Sequence, residues 1–263
     1  MDRELTTLRK AVLCAGAEAL RLAQIGFETH TKSDRSPVTS ADLAVNSILR
    51  AHLSEAFPED GWLSEESQDS PDRLEKRRVW IVDPIDGTRA FVRGLSEYCI
   101  SVALVDQGRP VVCAVFNPAT GEWFSAIHRR GMTIETVLDQ KRRQFEPAER
   151  PVVLVNPWEL STGRLRSLES HVRCRPIGSI AYALALVAAG QADAAIMLEG
   201  GNEWDIAAGV LLVLESGGRA SNASGHQPVF NQPNPRQQGA VALSRTLEPG
   251  LLDLLEKTVM DSR

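Results

Sequence analysis

Cysteine is scarce in this chain, and what there is lies scattered. Cys14, Cys99, Cys113 and Cys174 form no C-x-x-C pair. Three of the four stand in apolar runs, as buried thiols of a reducing compartment do, and no disulfide framework is expected. The five histidines show no metal-ligand spacing, and His52 and His128 read as structural or solvated. A basic excess is missing too: 29 Lys and Arg face 34 Asp and Glu, a formal net charge of −5. That balance gives no support to a binder of nucleic-acid polymers. It leaves anionic small substrates open, because a bound cation reverses the local field. Long apolar runs are absent. The longest, near Ile180–Ala189 and Ile206–Leu214, are too short to span a bilayer. The N-terminal Met1-Asp-Arg-Glu4 leads into an amphipathic segment and not into an apolar signal core. A cytoplasmic protein without a membrane partner is expected. There is no internal repeat and no low-complexity tract.

What is present is an ordinary globular composition, 43% apolar and 24% charged over 263 residues. That length can bury a core as one large domain or two smaller ones. Leu5, Leu8, Val12, Ala15, Ala19 and Leu22 recur at helical spacing and predict a helix over Glu4–Phe27. Thr29–Pro37 reads as a polar loop. A second helix is predicted from Thr39 or Ser40 to Phe57, with Thr39 and Asp42 as its cap. Gly61–Leu63 is a short strand ending in Ser64-Glu-Glu66, and the polar Gln68–Arg78 reads as a surface loop. Strands follow at Val79–Val82, Tyr98–Asp106, Pro110–Phe116 and Glu122–Ile127, the last three an antiparallel meander. Lys141-Arg-Arg143 reads as a solvated loop.

Between Phe145 and Pro151 the pattern changes, with Pro147 and Pro151 bracketing a polar linker. The organisation predicted is an N-terminal α+β domain over 1–147 and a C-terminal α/β domain over 148–263. In the second, elements alternate: strand Val152–Val155, helix Ser161–Ser170, strand Arg173–Pro176, helix Ser179–Ala189, strand Asp193–Leu198, helix Asp205–Ser216, strand Ala240–Leu243, and a terminal helix from about Leu247.

One stretch carries more chemistry than any other: Trp80-Ile-Val-Asp-Pro-Ile-Asp-Gly-Thr88. It places Asp83 and Asp86 around a proline that blocks a helix and fixes a turn. Gly87 lets backbone approach a ligand closely, and free N–H groups beyond it can hold an anion. Hard oxygen ligands beside an anion cradle suit magnesium and phosphate. Two further acidic places join it: Glu65-Glu66 at a strand end and Asp205 at the start of an apolar helix. Taken singly, each has a plainer reading, as a solvated strand end, a turn or a helix N-cap. An EF-hand is excluded, because the twelfth position from Asp83 is Gly94, where that loop needs Glu.

Together, Leu63-Ser-Glu-Glu66, Asp83-Pro-Ile-Asp-Gly-Thr88 and Trp204-Asp-Ile-Ala-Ala208, in this order and spacing, resemble the inositol monophosphatase family of metal-dependent phosphatases. Lys32-Ser-Asp34, Pro37-Val-Thr-Ser-Ala-Asp42, Gly178-Ser179 and Glu215-Ser-Gly-Gly218 extend the resemblance from about residue 5 to 245. In detail, Arg78-Val-Trp-Ile81, Gly87-Thr-Arg89 with Phe91, and Glu203-Trp-Asp205 look closest to the 3′(2′),5′-bisphosphate nucleotidases. Ala90 stands where inositol phosphatases usually carry Asn, which argues against inositol phosphate. Ile180-Ala-Tyr-Ala-Leu184 has no Lys where many bisphosphate nucleotidases have one, and Arg89-Ala-Phe91 also looks like some histidinol-phosphate phosphatases.

The resemblance implies an α+β, α/β fold layered α-β-α-β-α, with most metal ligands in the N-terminal half. It implies Mg2+, two or three ions per site. Glu65, Asp83 and the Ile85 carbonyl would hold the first, Asp83, Asp86 and Asp205 the second, and a weaker third would sit near Glu65. Thr88 and Glu65 would orient the attacking water and accept its proton, with Asp83 essential to catalysis. The Gly87 and Thr88 amides would hold phosphate oxygens, and Asp205 would stand against the substrate. Lithium inhibition is a family expectation. Tyr182 and Glu199 are candidates for the substrate wall. Trp204 is read as packing that positions Asp205. The substrate ranking is adenosine 3′,5′-bisphosphate, then inositol monophosphate, with histidinol phosphate or a sugar phosphate open. A homodimer is also open, as is a regulatory binding protein in which catalysis is secondary.

Overall fold

The computed structural model describes residues 1–33, 35–137, 149–247 and 254. Asp34, the basic Lys141-Arg-Arg143, Pro147 and the boundary between 147 and 148, and nearly all of the terminal helix fall outside the described residues. The chain opens with helix α1 (Asp2–Ile25), strands β1 (Thr29–Thr31) and β2 (Pro37–Thr39), and helix α2 (Ser40–Ala56). Thr39 and Asp42 close a capping box at the head of α2, worth about 1 kcal/mol in typical cases. Strands β3 (Gly61–Ser64) and β4 (Arg78–Asp86), the short helix α3 (Thr88–Val92), and strands β5 (Cys99–Asp106), β6 (Arg109–Asn117), β7 (Glu122–Ile127) and β8 (Met132–Thr136) complete the first half.

Then come β9 (Val152–Val155), α4 (Pro157–Thr162), β10 (Arg173–Pro176), α5 (Ile180–Ala188), β11 (Ala194–Met197), α6 (Glu203–Glu215), β12 (Arg219–Ser221) and β13 (Ala240–Leu243). Strands β3 to β8 form a six-stranded sheet in sequence order, parallel only at β3–β4. The second sheet has the order β10-β9-β11-β13-β12 and is parallel across β10, β9 and β11.

Period-two alternation in β4 assigns its faces. Trp80 and Val82 pack with Leu8, Val12, Val45 and Leu49 of α1 and α2. Val79 and Ile81 turn to the opposite side, toward α5 and α6. Those two helices are apolar almost all round, as helices sandwiched between two sheets must be, and their far side meets Leu154, Ala195 and Ala242 of the second sheet. Leu165, Leu168 and Val172 cover that sheet's outer face. The result is the expected α-β-α-β-α layering.

Four local expectations need correction. Thr29–Pro37 is not simply loop: its ends pair as β1 and β2, Thr29 opposite Thr39. The helix expected over Ser161–Ser170 starts earlier and stops sooner, as α4. Asn156 caps it, Pro157 takes the first turn, and Gly163, with φ 73°, ends it. Gln68–Arg78 contains a 3-10 turn at Pro71–Glu75, and Arg73 within it is only 2% exposed. Of the four free cysteines, Cys99 and Cys113 are buried, Cys174 is half-buried and Cys14 is exposed. Among the described residues, no helix is long and apolar enough to cross a membrane.

Candidate metal and phosphate site

In a regular strand, residues three apart point to opposite faces. Asp83 and Asp86 escape this rule because β4 bulges between them. Asp83 pairs with Ser101 and Asp86 with Cys99, so three steps on β4 match two on β5. Ser101 and Cys99 share a face, and so therefore do the two acids. Pro84 sits in the bulge, where a missing N–H costs no ladder bond. Gly87 follows with φ 93°, and a Cβ there would lie 2.8 Å from the Glu97 carbonyl. Only glycine turns the chain at that point into α3.

Asp205 arrives from the other half. It is the third helical residue of α6, and its Oδ2 accepts the Asn202 N–H at 2.6 Å in a capping box. Asp205 is thus not the N-cap itself, which is Asn202, but closes the capping box from the third helical position. One oxygen each from Asp83, Asp86 and Asp205 lies within 4.8 Å of the others.

The electrostatics follow from burial and crowding. Burial, then repulsion from Glu65, Asp86 and Asp205, pushes the Asp83 carboxyl well above its ordinary value. Burial and then Asp86 do the same to Asp205. Burial also raises Asp86, opposed by the Ser179 hydroxyl and the Ala181 and Gly87 amides. Ser179 Oγ and Ala181 N–H both donate to Asp86 Oδ2 at 2.6 Å. Asp83 Oδ1 is buried and has no hydrogen-bond partner among the described residues. A buried carboxylate with an oxygen left without a donor, close to two other carboxylates, lacks a positive charge. A hard divalent cation such as Mg2+ fits that donor set.

Glu65 stands apart from the trio. Lys32 Nζ reaches its Oε1 at 2.7 Å and Glu66 Oε1 at 2.5 Å. Burial alone would lower the Lys32 ammonium, but the two carboxylates outweigh it and hold it above its usual value. Glu65 is close enough for its charge to act on Asp83, Asp86 and Asp205. Thr88 Oγ1 lies 3.0 Å from the Ile85 carbonyl and 3.2 Å from Asp42 Oδ1. Ile85 itself is buried.

Sequence reasoning singled out neither Asp42 nor Ser179 as a site residue. The capping box explained Asp42 completely, and Ser179 meets Asp86 across 93 residues, a separation that no local pattern reports. Tyr182 leaves the list of wall candidates: it is fully buried and its hydroxyl donates to Glu122. Glu199 pairs with Arg164 at the surface. Trp204 packs against the central core, as expected.

A layered fold that gathers carboxylates from both halves around a glycine turn defines a metal-dependent phosphatase class, and comparison with known proteins agrees. The model of the inositol monophosphatase family matches residues 1–260. Inositol monophosphatase 2 of Solanum lycopersicum is 34% identical over 204 residues, 72% of this chain and 76% of that protein. The 3′(2′),5′-bisphosphate nucleotidase CysQ of Escherichia coli K12 is 31% identical over 199 residues, 74% of this chain and 80% of that one. The solved IMPase of Thermotoga maritima superposes with a TM-score of 0.83 at 26% identity, covering 100% of this chain and 98% of its own. The chain belongs to the inositol monophosphatase family. It is a metal-dependent phosphoric monoester hydrolase acting on small phosphorylated substrates.

Proposed function

We propose that the chain hydrolyses adenosine 3′,5′-bisphosphate to AMP and phosphate. The observation that carries the phosphatase chemistry is the convergence of Asp83, Asp86 and Asp205, with the partnerless Asp83 Oδ1 among them. These three, Glu65 and the Ile85 carbonyl would hold magnesium, two or three ions; Glu65 would do so as Lys32 retires to Glu66. Bound magnesium supplies positive charge to the phosphate and makes a water more acidic. The Gly87 and Thr88 amides hold phosphate oxygens at the head of α3, and Asp205 borders the substrate.

Thr88 handles the proton. Its single hydroxyl hydrogen serves either the Ile85 carbonyl or Asp42 Oδ1, never both. Passing it to Asp42 frees Thr88 Oγ1 to take a proton from the attacking water. Glu65 is the second acceptor in reach of that water. Lithium inhibition is expected on the same reading.

Substrate choice rests on the rest of the ester. Strand β9 lies between β10 and β11 and runs parallel to both. All three therefore open onto one edge, from which the following segments lead to Ser179 and Asp205. The turn after β9 carries Trp158, 53% exposed, with the Arg164 guanidinium 5.9 Å from its ring centroid. An exposed indole suits stacking of a nucleobase, and Ala90 removes the polar side chain usual in inositol phosphatases. The test is phosphate release with Mg2+ from adenosine 3′,5′-bisphosphate, inositol 1-phosphate and histidinol phosphate, assayed side by side. The nucleotide is expected to lead. A strong preference for inositol phosphate would overturn the assignment, and release from no ester would favour a binding protein.

A further inference from the structure

The Glu203-Trp-Asp205 motif contains an acid with no assigned task, and the polar stretch after Glu66 contains a buried arginine that composition did not foresee. They belong to one device. Glu203 is fully buried, yet among the described residues no cation forms an ion pair with its carboxylate. Its Oε2 accepts the Asn231 N–H at 2.6 Å and its Oε1 the Gln232 N–H at 2.8 Å. Behind that peptide stands Arg73. Its guanidinium donates to the Asn231 side-chain oxygen at 2.7 Å and the Gln232 carbonyl at 2.9 Å, and forks onto Asp69 at 2.6 and 2.9 Å. The Asn231 side-chain amide returns to the Arg73 carbonyl at 3.2 Å.

The same strap continues along the start of α6. Glu203 N–H donates to the Pro235 carbonyl and Gln237 N–H to the Gly201 carbonyl, each at 2.8 Å, and Asn202 bridges antiparallel to Arg236. Between these pinned residues lies Asn202, whose N–H holds Asp205 Oδ2. The fit is close: a Cβ on Gly201 would stand 2.6 Å from that oxygen.

We infer that Glu203 is a positioning residue for Asp205, and that the Arg73–Asn231–Gln232–Glu203 clamp fixes Asp205 against Asp83 and Asp86. The inference rests on reading the acidic cluster as the metal centre. The physical need is plain. Asp83 and Asp86 come from β4, Asp205 from α6, and a ligand set shared by separate elements is only as well placed as the tie between them. Arg73 follows Glu65 and Glu66 in the chain, so the clamp ties the segment leaving one set of acids to the segment delivering the other.

The test is a titration of the purified chain with Mn2+, followed by the electron paramagnetic resonance signal of the free ion, with Asp205→Asn marking the sites that depend on that carboxylate. Glu203→Gln keeps shape but sets an amide N–H against a backbone N–H. It should weaken Mn2+ binding at the Asp205-dependent sites about tenfold, while the remaining sites keep their affinity. Arg73→Lys keeps the charge but loses the fork, and should move the same sites in the same direction by about threefold. A clamp that only stabilises the fold would lower the melting temperature and leave the Mn2+ isotherms superimposable with wild type; that result in either folded variant overturns the inference. A wild-type chain that takes up no Mn2+ overturns the metal-centre reading itself, and the clamp with it.

Discussion

Removing one acid from the cluster should make the metal-free protein more stable and the metal-loaded one less so. At 4.8 Å, the outer limit of separation among the ligand oxygens of Asp83, Asp86 and Asp205, two full charges repel by about 3 kcal/mol with an effective dielectric constant of about 20. Asp83 faces two such neighbours and has an orphan oxygen besides. The wild type relieves part of this by holding protons, which is why burial and crowding raise these carboxyls. The native state then binds protons more tightly than the unfolded chain. Its stability accordingly falls as pH climbs from the ordinary 3.8 through the raised native value. Asp83→Asn removes one charge and its repulsions. In a chelator at about pH 8 it should unfold later than wild type by about 1–3 kcal/mol, or roughly 3–8 °C for a chain of this size. Near pH 2, well below the ordinary 3.8, the carboxyls are protonated in both folded and unfolded chains and the difference should vanish. Saturating Mg2+ should then reverse the order. Wild type gains about 3 kcal/mol at a hundredfold excess over the dissociation constant, and the variant gains little. Turnover in Asp83→Asn should fall nearly to zero while the fold survives. Thermal unfolding across pH, with and without Mg2+, checks all of this. A variant less stable than wild type in chelator, with an equal response to Mg2+, would refute the argument that these acids lack a cation.

Two further outcomes follow from the turn beside the cluster. Gly87→Ala must adopt φ 93° and bring its Cβ to 2.8 Å from the Glu97 carbonyl. A destabilisation of about 1–3 kcal/mol is expected, with loss of phosphate release exceeding what the lost stability explains, measured by denaturant unfolding and single-ester kinetics. Thr88→Val keeps the branched shape and removes the hydroxyl that bridges to Asp42. Its kcat should drop about 10²–10⁴-fold with the melting temperature nearly unchanged, and an unaltered kcat would remove Thr88 from proton transfer.

Much of the scaffold was legible because it is local. Capping chemistry at Thr39 and Asp42, the strand β7 after the turn at 117–121 and the apolar run of β9 announce themselves within a few residues, and the structure places them where the pattern did. The failures share a cause. Arg73 looked like surface because its neighbours in sequence are polar, yet its partners Asn231 and Gln232 stand 158 and 159 residues away. Tyr182 looked available to a ligand, but a buried Glu122 takes its hydroxyl. The helix near Ser161 lies earlier than its apolar spacing predicts because Asn156 caps its start and Gly163 breaks it after Thr162.

By itself the amino-acid order determined which groups exist to do chemistry: the acids of three separated motifs, the proline that rules out a helix at Asp83, the glycine that turns the chain after Asp86. Those are properties of residue type and short spacing, and taken together they resemble the inositol monophosphatase family, which is what indicated a magnesium-dependent phosphatase. Only the tertiary structure decided where the carboxylates point. A one-residue bulge put Asp83 and Asp86 on one face, a cap hydrogen bond aimed Asp205 at them, and α5 delivered Ser179 to Asp86. Each of these depends on contacts between segments far apart in the chain, whose closeness is set by how two sheets and the helices between them bury their apolar faces.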